Sequence, residues 1–92
     1  MIKSFREKHT QKLWKEKTDR RWKNIQEVAL RKLDQLNKAK SLFDLTFPPH
    51  NRLETLRGKW KGYHSIRINK QYRIVFIWEK SNAYEVEITD YH

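Results

Sequence analysis

Residues 52–78 read RLETLRGKWKGYHSIRINKQYRIVFIW, and this stretch decides the fold. A short extended run, Arg52–Arg57, leads to a turn region bounded by Gly58 and Gly62. Two strands come next, Tyr63–Ile68 and Tyr72–Trp78, joined through the polar pair Asn69-Lys70. Tyr72, Ile74, Phe76 and Trp78 alternate on one face, with Val75 and Ile77 on the other. A strand apolar on both faces belongs in the middle of a sheet. Into it the sequence inserts Arg73. A guanidinium among apolar neighbours is costly unless it is paired or holds an anion. With Arg57, Lys59, Lys61 and the lone carboxylate Glu54 nearby in sequence, the region reads as a sheet floor carrying a small polar site for phosphate.

Working outward, Ala83–Thr89 reads as a further strand, connected through Ser81-Asn82. Upstream, Pro48-Pro49 ends an irregular segment, Ser41–Asn51, whose Leu42, Phe43, Leu45 and Phe47 suggest a short helical turn plugging the core. Trp22, Ile25, Ala29, Leu33 and Leu36 recur at spacings of three and four, which predicts a helix over Arg21–Ala39, with Val28 widening the stripe. Lys23, Gln26, Glu27, Arg31, Lys32, Gln35 and Lys38 are expected on its solvated side. A first helix starts near Glu7, with Leu13 and Trp14 as its apolar contacts, and Thr18 or Asp19 caps the second helix. Ile2–Arg6 fits a first strand or a helix start, with Ile2 and Ser4 on one side and Phe5 opposite. The expected fold is α+β, in the order β-α-α-β-β-β-β, with two helices on an antiparallel-rich twisted sheet of about five strands.

The 92 residues make one domain, 1–92, with a modest single core. Hydrophobic residues are 37% of the chain and aromatics 13%, enough large side chains to fold despite the charge. Twenty-one Lys and Arg against 11 Asp and Glu leave a net charge of +10, and four tryptophans accompany it. That combination favours a polyanion, nucleic acid first and an anionic membrane surface second. With no cysteine there is neither a disulfide framework nor a thiolate zinc site. His9, His50, His64 and His92 lack metal-ligand spacing, so no metal or other cofactor is expected. No long apolar run and no signal-peptide core occur, which makes a soluble cytoplasmic protein the default.

Cleavage of RNA without a metal needs a base for the 2′-hydroxyl, cations for the added negative charge, and an acid for the leaving 5′-oxygen. Glu54 suits the base, Arg73 and Arg57 the phosphate clamp, and His92 the acid, while Tyr91 is placed to stack on a base or orient the phosphate. Blander readings stand beside these. Glu54 also fits an exposed strand residue paired to a lysine, and Tyr91-His92 an ordinary chain end. His64 shares a strand face with Ile66 and Ile68 and reads as a packed histidine. Trp60, between two lysines, suits RNA or protein contact equally.

The same residues carry a family resemblance. The pattern L-x-x-L-[KR]-G-x-x-x-G-[YFW] (residues 53–63), the Tyr72-Arg73-Ile74-x-Phe76 strand and the terminal Asp90-Tyr91-His92 resemble the HigB-type toxins of the RelE/ParE superfamily, and the likeness extends to MIKSFR at the start. It implies a compact microbial-RNase-like sheet with helices on one side. It also implies a ribosome-dependent mRNA endonuclease (an mRNA interferase that stops translation), neutralised by an antitoxin, often a helix-turn-helix protein of HigA type. Catalytic or phosphate-binding roles then fall on Glu54, Arg57, Gln71, Arg73, Tyr91 and His92, while Lys59 and Lys61 are expected RNA contacts from the charge of the stretch itself. Many HigB-type members have histidine and lysine where this chain has Glu54 and Arg57, whereas the related YoeB-type toxins carry glutamate at the first of these places. Glu54 therefore looks like a base of the YoeB kind. Arg57 cannot lose a proton at neutral pH and is assigned to electrostatics only. Two other classes compete: a non-enzymatic gyrase inhibitor of ParE type, and a basic RNA-binding module. The co-occurrence of Glu54, Arg73 and His92 favours the enzyme, because a pure binder needs no base–arginine–acid set.

Overall fold

The computed structural model describes residues 1–90. Two helices, α1 (Lys8–Glu16) and α2 (Gln26–Lys38), precede four strands, β1 (Glu54–Thr55), β2 (His64–Arg67), β3 (Tyr72–Glu79) and β4 (Asn82–Asp90). The strands form one sheet in the order β1-β2-β3-β4, antiparallel throughout. The α+β class and the helix-then-sheet order are as the sequence predicts; the strand count differs by one. Residues 1–6 run parallel to β4 but form only isolated bridges, Ile2 with Ala83 and Phe5 with Val86. The reason is the Glu85 bulge in β4, where φ is +52°. Ser4 Oγ accepts from the Glu85 N–H at 2.9 Å and donates to its carboxylate at 3.2 Å, filling the gap the bulge opens. The irregularity also turns Ile2 and Phe5 onto the same core, not to opposite sides.

The α1 N-terminus is held by Glu7, whose carboxylate accepts from His9 N at 2.7 Å and Thr10 N at 2.9 Å. Thr10 is fully buried, and its hydroxyl accepts from Ile88 N at 3.1 Å, so a helix side chain closes the open edge of β4. Asp19 is the cap that the sequence offered. Its carboxylate accepts from Arg21 N at 2.8 Å and organises a 3₁₀ turn over Arg20–Trp22. This turn is why α2 starts at Gln26 and not Arg21. Trp22 and Ile25 are buried, but the three-residue spacing that predicted helix there is shared by the 3₁₀ form.

Leu13, Trp22, Ala29, Leu33, Leu36 and Leu45 pack against Ile66, Ile74, Phe76, Val86 and Ile88, which places both helices on one face of the sheet. Two expectations fail nearby. Phe43 and Phe47 do not plug the core. They are 69% and 59% exposed and touch each other edge to face at 5.7 Å, leaving Leu45 as the fully buried apolar side chain of that segment. Lys32, expected on the solvated side of α2, is buried at 4% exposure.

Candidate active site

The face of the sheet away from the helices carries the polar residues. Register puts Glu54 beside Ser65, Ser65 beside Val75, and Arg73 between Arg67 and Thr89. Arg73, 8% exposed, is therefore a buried cation on a sheet floor. Its Nε donates to Ser65 Oγ at 2.7 Å, and its Nη2 donates to the Arg52 carbonyl at 2.5 Å and meets Glu54 Oε1 at 3.1 Å. Each partner comes from a different local cause. Ser65 is placed by strand alternation. The Arg52 carbonyl is turned inward because Arg52 takes a left-handed φ of +46° after the 3₁₀ turn Pro49–Asn51. Glu54 arrives through the two-residue pairing of β1 with β2, its side chain half exposed. A planar guanidinium fixed on three sides in this way has the charge and the set orientation that anion binding requires. Ser65, the Arg52 carbonyl and the turn that aims it are the site elements that sequence reading missed. Alternation with Arg67 was a signal for Ser65; a backbone carbonyl leaves none.

The remaining candidates lie around this pair. Arg57, Lys59 and Lys61 are exposed along the 3₁₀ turn Gly58–Trp60 and its flanks. Gly58 (φ +65°) and Gly62 (φ +94°) supply left-handed backbone at both ends of that loop. Trp60 is half-buried, set edge to face on Tyr63 at 5.1 Å and covered by the Arg6 guanidinium at 5.2 Å, so it is less open than its lysine neighbours suggest. Gln71 stands at the β3 entrance, its Nε2 donating to Asp90 Oδ2 at 3.1 Å. This brings the last described strand residue to the end of the sheet where Arg73 lies. Tyr91 and His92, which the sequence reading makes stacking group and acid, lie outside the described residues.

The other histidines are placed elsewhere. His64 lies on the helix-side face, its ring 5.9 Å from Phe76 and its Nδ1 3.1 Å from Thr55 Oγ1; burial pushes its pKa below the usual histidine value. His9 pairs with Asp19 at 3.2 Å. Among the described residues no group of three His, Asp or Glu side chains is arranged to hold a metal ion.

Comparison with known proteins bears on this geometry. The family model for HigB-like toxins, described as RelE-like toxins of type II toxin–antitoxin systems, matches residues 3–92. The chain belongs to that family. It is 49% identical over 55 residues to Toxin HigB-1 of Vibrio cholerae serotype O1, a match covering 60% of this chain and 58% of that toxin. An uncharacterized protein of Haemophilus influenzae is 41% identical over 60 residues, covering 65% of this chain and 59% of the relative. The matches thus span somewhat under three fifths of each curated relative's length. Among solved structures, a chain of the heterotetrameric YoeB–YefM toxin–antitoxin complex from Staphylococcus aureus superimposes with a TM-score of 0.63, covering 100% of this chain and 98% of that one. A second YoeB–YefM complex from the same organism gives 0.58. At 17% identity both show the fold alone. Among the described residues of this HigB-like chain, no helix is long and apolar enough to cross a membrane.

Proposed function

We propose that this chain is the toxin of a type II toxin–antitoxin system and acts as a ribosome-dependent mRNA endonuclease in the cytoplasm. The observation that carries the reading is the Glu54–Arg73 pair, 3.1 Å apart on the sheet face turned away from the helices. Glu54, half exposed, is open to accept the 2′-hydroxyl proton of the ribose, and that oxygen attacks the neighbouring phosphorus. Arg73, held by Ser65 and the Arg52 carbonyl, stabilises the added charge on the phosphate without reorganising. Arg57, Lys59, Lys61 and Gln71 contact RNA around the scissile phosphate. Tyr91 stacks or orients, and His92 returns a proton to the departing 5′-oxygen. With an unperturbed pKa of about 6.5, histidine is the side chain suited to that transfer near neutral pH.

The partners proposed are the ribosome with its mRNA and a cognate antitoxin of the helix-turn-helix, HigA-like kind. The solved relatives are toxin–antitoxin complexes, which supports the second of these. An antitoxin that covers the Arg73 face or blocks entry to the ribosome leaves a stable complex without cleavage activity. Ribosome association itself should weaken steeply with salt, because the +10 chain displaces counterions from RNA.

The deciding experiment is single-turnover mRNA cleavage on programmed ribosomes by wild type, His92→Gln and a variant ending at Tyr91. Loss of rate on the order of 10²–10⁴-fold, with little loss of ribosome affinity, is expected of a general acid. Wild-type rates from both variants remove His92 from the mechanism. Failure of both to bind makes it a recognition residue. If wild type cleaves no mRNA yet inhibits gyrase, the ParE-type alternative replaces this reading.

A further inference from the structure

A groove of about 610 Å³ lies on the far side of α2, between that helix and residues 44–50. Its walls include Ala39, Pro48 and the stems of Arg31 and Lys38, and Lys32 lines it. Lys32 is only 4% exposed, yet its ammonium has a neutral partner, the side-chain oxygen of Asn51. An ammonium has three N–H groups and a full charge, so an amide oxygen leaves it under-satisfied. The nearby acids do not supply the missing anion. Asp34 is engaged by Lys38 at 3.0 Å, and Asp44 accepts from the backbone N–H groups of Lys40 and Ser41 at 2.8 and 3.2 Å. Arg31, exposed at the rim, has no carboxylate partner among the described residues. Phe43 and Phe47, next in sequence to the lining residues Asp44 and Pro48, form an exposed edge-to-face aromatic pair. An exposed aromatic patch next to an uncompensated buried cation is the profile of a docking site.

We propose that this groove seats an acidic, aromatic-bearing segment of a protein partner, its carboxylate on Lys32 and Arg31 and its ring against Phe43 and Phe47. The assignment rests on the toxin function proposed for the chain, under which the partner is the antitoxin. The groove is made for one carboxylate flanked by apolar surface. A nucleic-acid strand brings a phosphate with every nucleotide and would press some of them against Asp34 and Asp44, whereas a peptide places its single charge over the cations. The groove lies across α2, on the helix side of the sheet, whereas Arg73 lies on the other face, so occupation leaves the proposed RNA site uncovered.

The test uses the ¹⁵N-labelled toxin, titrated with 3-phenylpropionate, with the uncharged 3-phenylpropionamide, and with hexauridylate. The acid should shift the amides of Lys32, Gln35, Ala39 and His50 saturably, and the amide should bind at least tenfold more weakly. Arg31→Ala, at an exposed position, should weaken the acid severalfold, and Lys32→Met should abolish its effect. Equal binding of acid and amide, or no localised shift with wild type, overturns the carboxylate seat. Tighter binding of hexauridylate at the same amides makes the groove an RNA contact and overturns the protein partner. In the complex with its co-expressed cognate antitoxin, these amides should be protected from hydrogen exchange. A stable complex in which they exchange as in the isolated toxin overturns the assignment. Cleavage by the isolated toxin, measured separately, reports on the proposed reaction whatever the groove does.

Discussion

Among the described residues of this small basic protein two cations are buried, and they are treated oppositely. Arg73, 8% exposed, has a hydroxyl, a carbonyl and a carboxylate around its guanidinium. Lys32, 4% exposed, has an amide oxygen. Taking either charge out of water costs several kcal/mol before partners are counted. At Arg73 the cost is offset by three fixed partners, and because arginine keeps its proton the charge is permanent. At Lys32 burial, and then the neighbouring charge of Arg31, push the ammonium pKa below its ordinary value, so the charged form is the strained one. The sheet pole is thus finished in the isolated chain, while the α2 pole is complete only with an anion. Position within the molecule matches this: the finished site faces the proposed reaction and the unfinished one faces outward from the helix.

The largest effect expected from this contrast is at Arg73. Arg73→Lys keeps a positive charge but loses the planar fork that reaches Ser65, Arg52 and Glu54 together. Single-turnover cleavage should fall by about 10²–10³-fold, the scale of losing one positioned electrostatic donor, while ribosome affinity changes less than tenfold. An Arg73→Lys toxin that cuts at the wild-type rate would show that charge alone matters there, and the contrast with Lys32 would collapse into simple exposure.

Next in size is the α2 pole. Asn51 is fully buried; its Nδ2 reaches Gln35 Oε1, the Leu45 carbonyl and the Phe47 carbonyl, each at 3.1 Å, while its oxygen receives Lys32. Asn51→Leu strands the ammonium and removes the donor from those acceptors, and should cost about 3 kcal/mol in denaturant unfolding. Adding Lys32→Met should recover part of that loss, since both members of the pair then become apolar. A double variant as unstable as the sum of the singles would mean that Lys32 and Asn51 are not coupled.

The two poles were unequally legible in the sequence. Arg73 announced itself because a cation inside Tyr72–Trp78 breaks a run that is apolar on both faces, and alternation located β2, β3 and β4 almost to the residue. Glu54 and Arg73 were nominated together, and the fold brings them into contact. Lys32 gave no such signal. On an amphipathic helix it sits one position from the apolar Leu33, and at the border of a stripe a lysine reads as solvated until the loop that covers it is known. That cover is the 3₁₀ turn Pro49–Asn51, held through Asn51 by contacts 16 and 19 residues away in sequence. Phe43 and Phe47 misled for the related reason that apolar character was taken as burial. The parallel bridges of residues 1–6 to β4 are set by a bulge some 80 residues later, which no local pattern encodes.

Buried carboxylates repeat the contrast with the sign of charge reversed, and their pH dependence should separate. Asp19 is 2% exposed. Burial opposes its ionisation, but Arg21 N, the His9 ring and the charges of His9 and Lys12 outweigh that and hold its pKa below 3.8. A depressed folded pKa means that the stabilisation is fully present above the unfolded value and is lost as pH falls through the lower folded one. Asp19→Asn should therefore destabilise the protein by about 1–2 kcal/mol at pH 7. The difference should shrink steadily below pH 3.8, as the wild-type carboxyl takes up its proton. An equal difference at pH 7 and pH 2.5 would place the effect in shape and not in charge.

Glu87 is the opposite case and the smallest effect. Its Oε1 has no hydrogen-bond partner although the atom is buried, and its nearest cation, Arg6, is 3.7 Å away and half exposed. Burial raises its pKa above 4.5, Arg6 lowers it less than burial raises it, and Glu7 adds a second upward push. A raised folded pKa for a carboxyl means that the folded state prefers the proton, so the ionised form costs stability as pH rises through 4.5 and beyond. The ionised Glu87 carboxylate is then a net liability at neutral pH, a cost that Arg6 reduces but does not cancel. Glu87→Gln should raise stability at pH 7 by about 0.5 kcal/mol, a size typical of partly exposed pairs. The gain should vanish near pH 3.5, where the wild-type carboxyl is already neutral. The midpoint shift of Glu87→Gln in urea, measured at both pH values beside that of Asp19→Asn, should have the opposite sign at pH 7 and should be gone near pH 3.5, where the Asp19→Asn shift has only begun to shrink. If Glu87→Gln destabilises at pH 7, the cation of Arg6 outweighs desolvation. Charge partners at 3.7 Å would then suffice on this surface, and the distinction drawn between a finished and an unfinished buried charge would need a longer reach than hydrogen-bond distance.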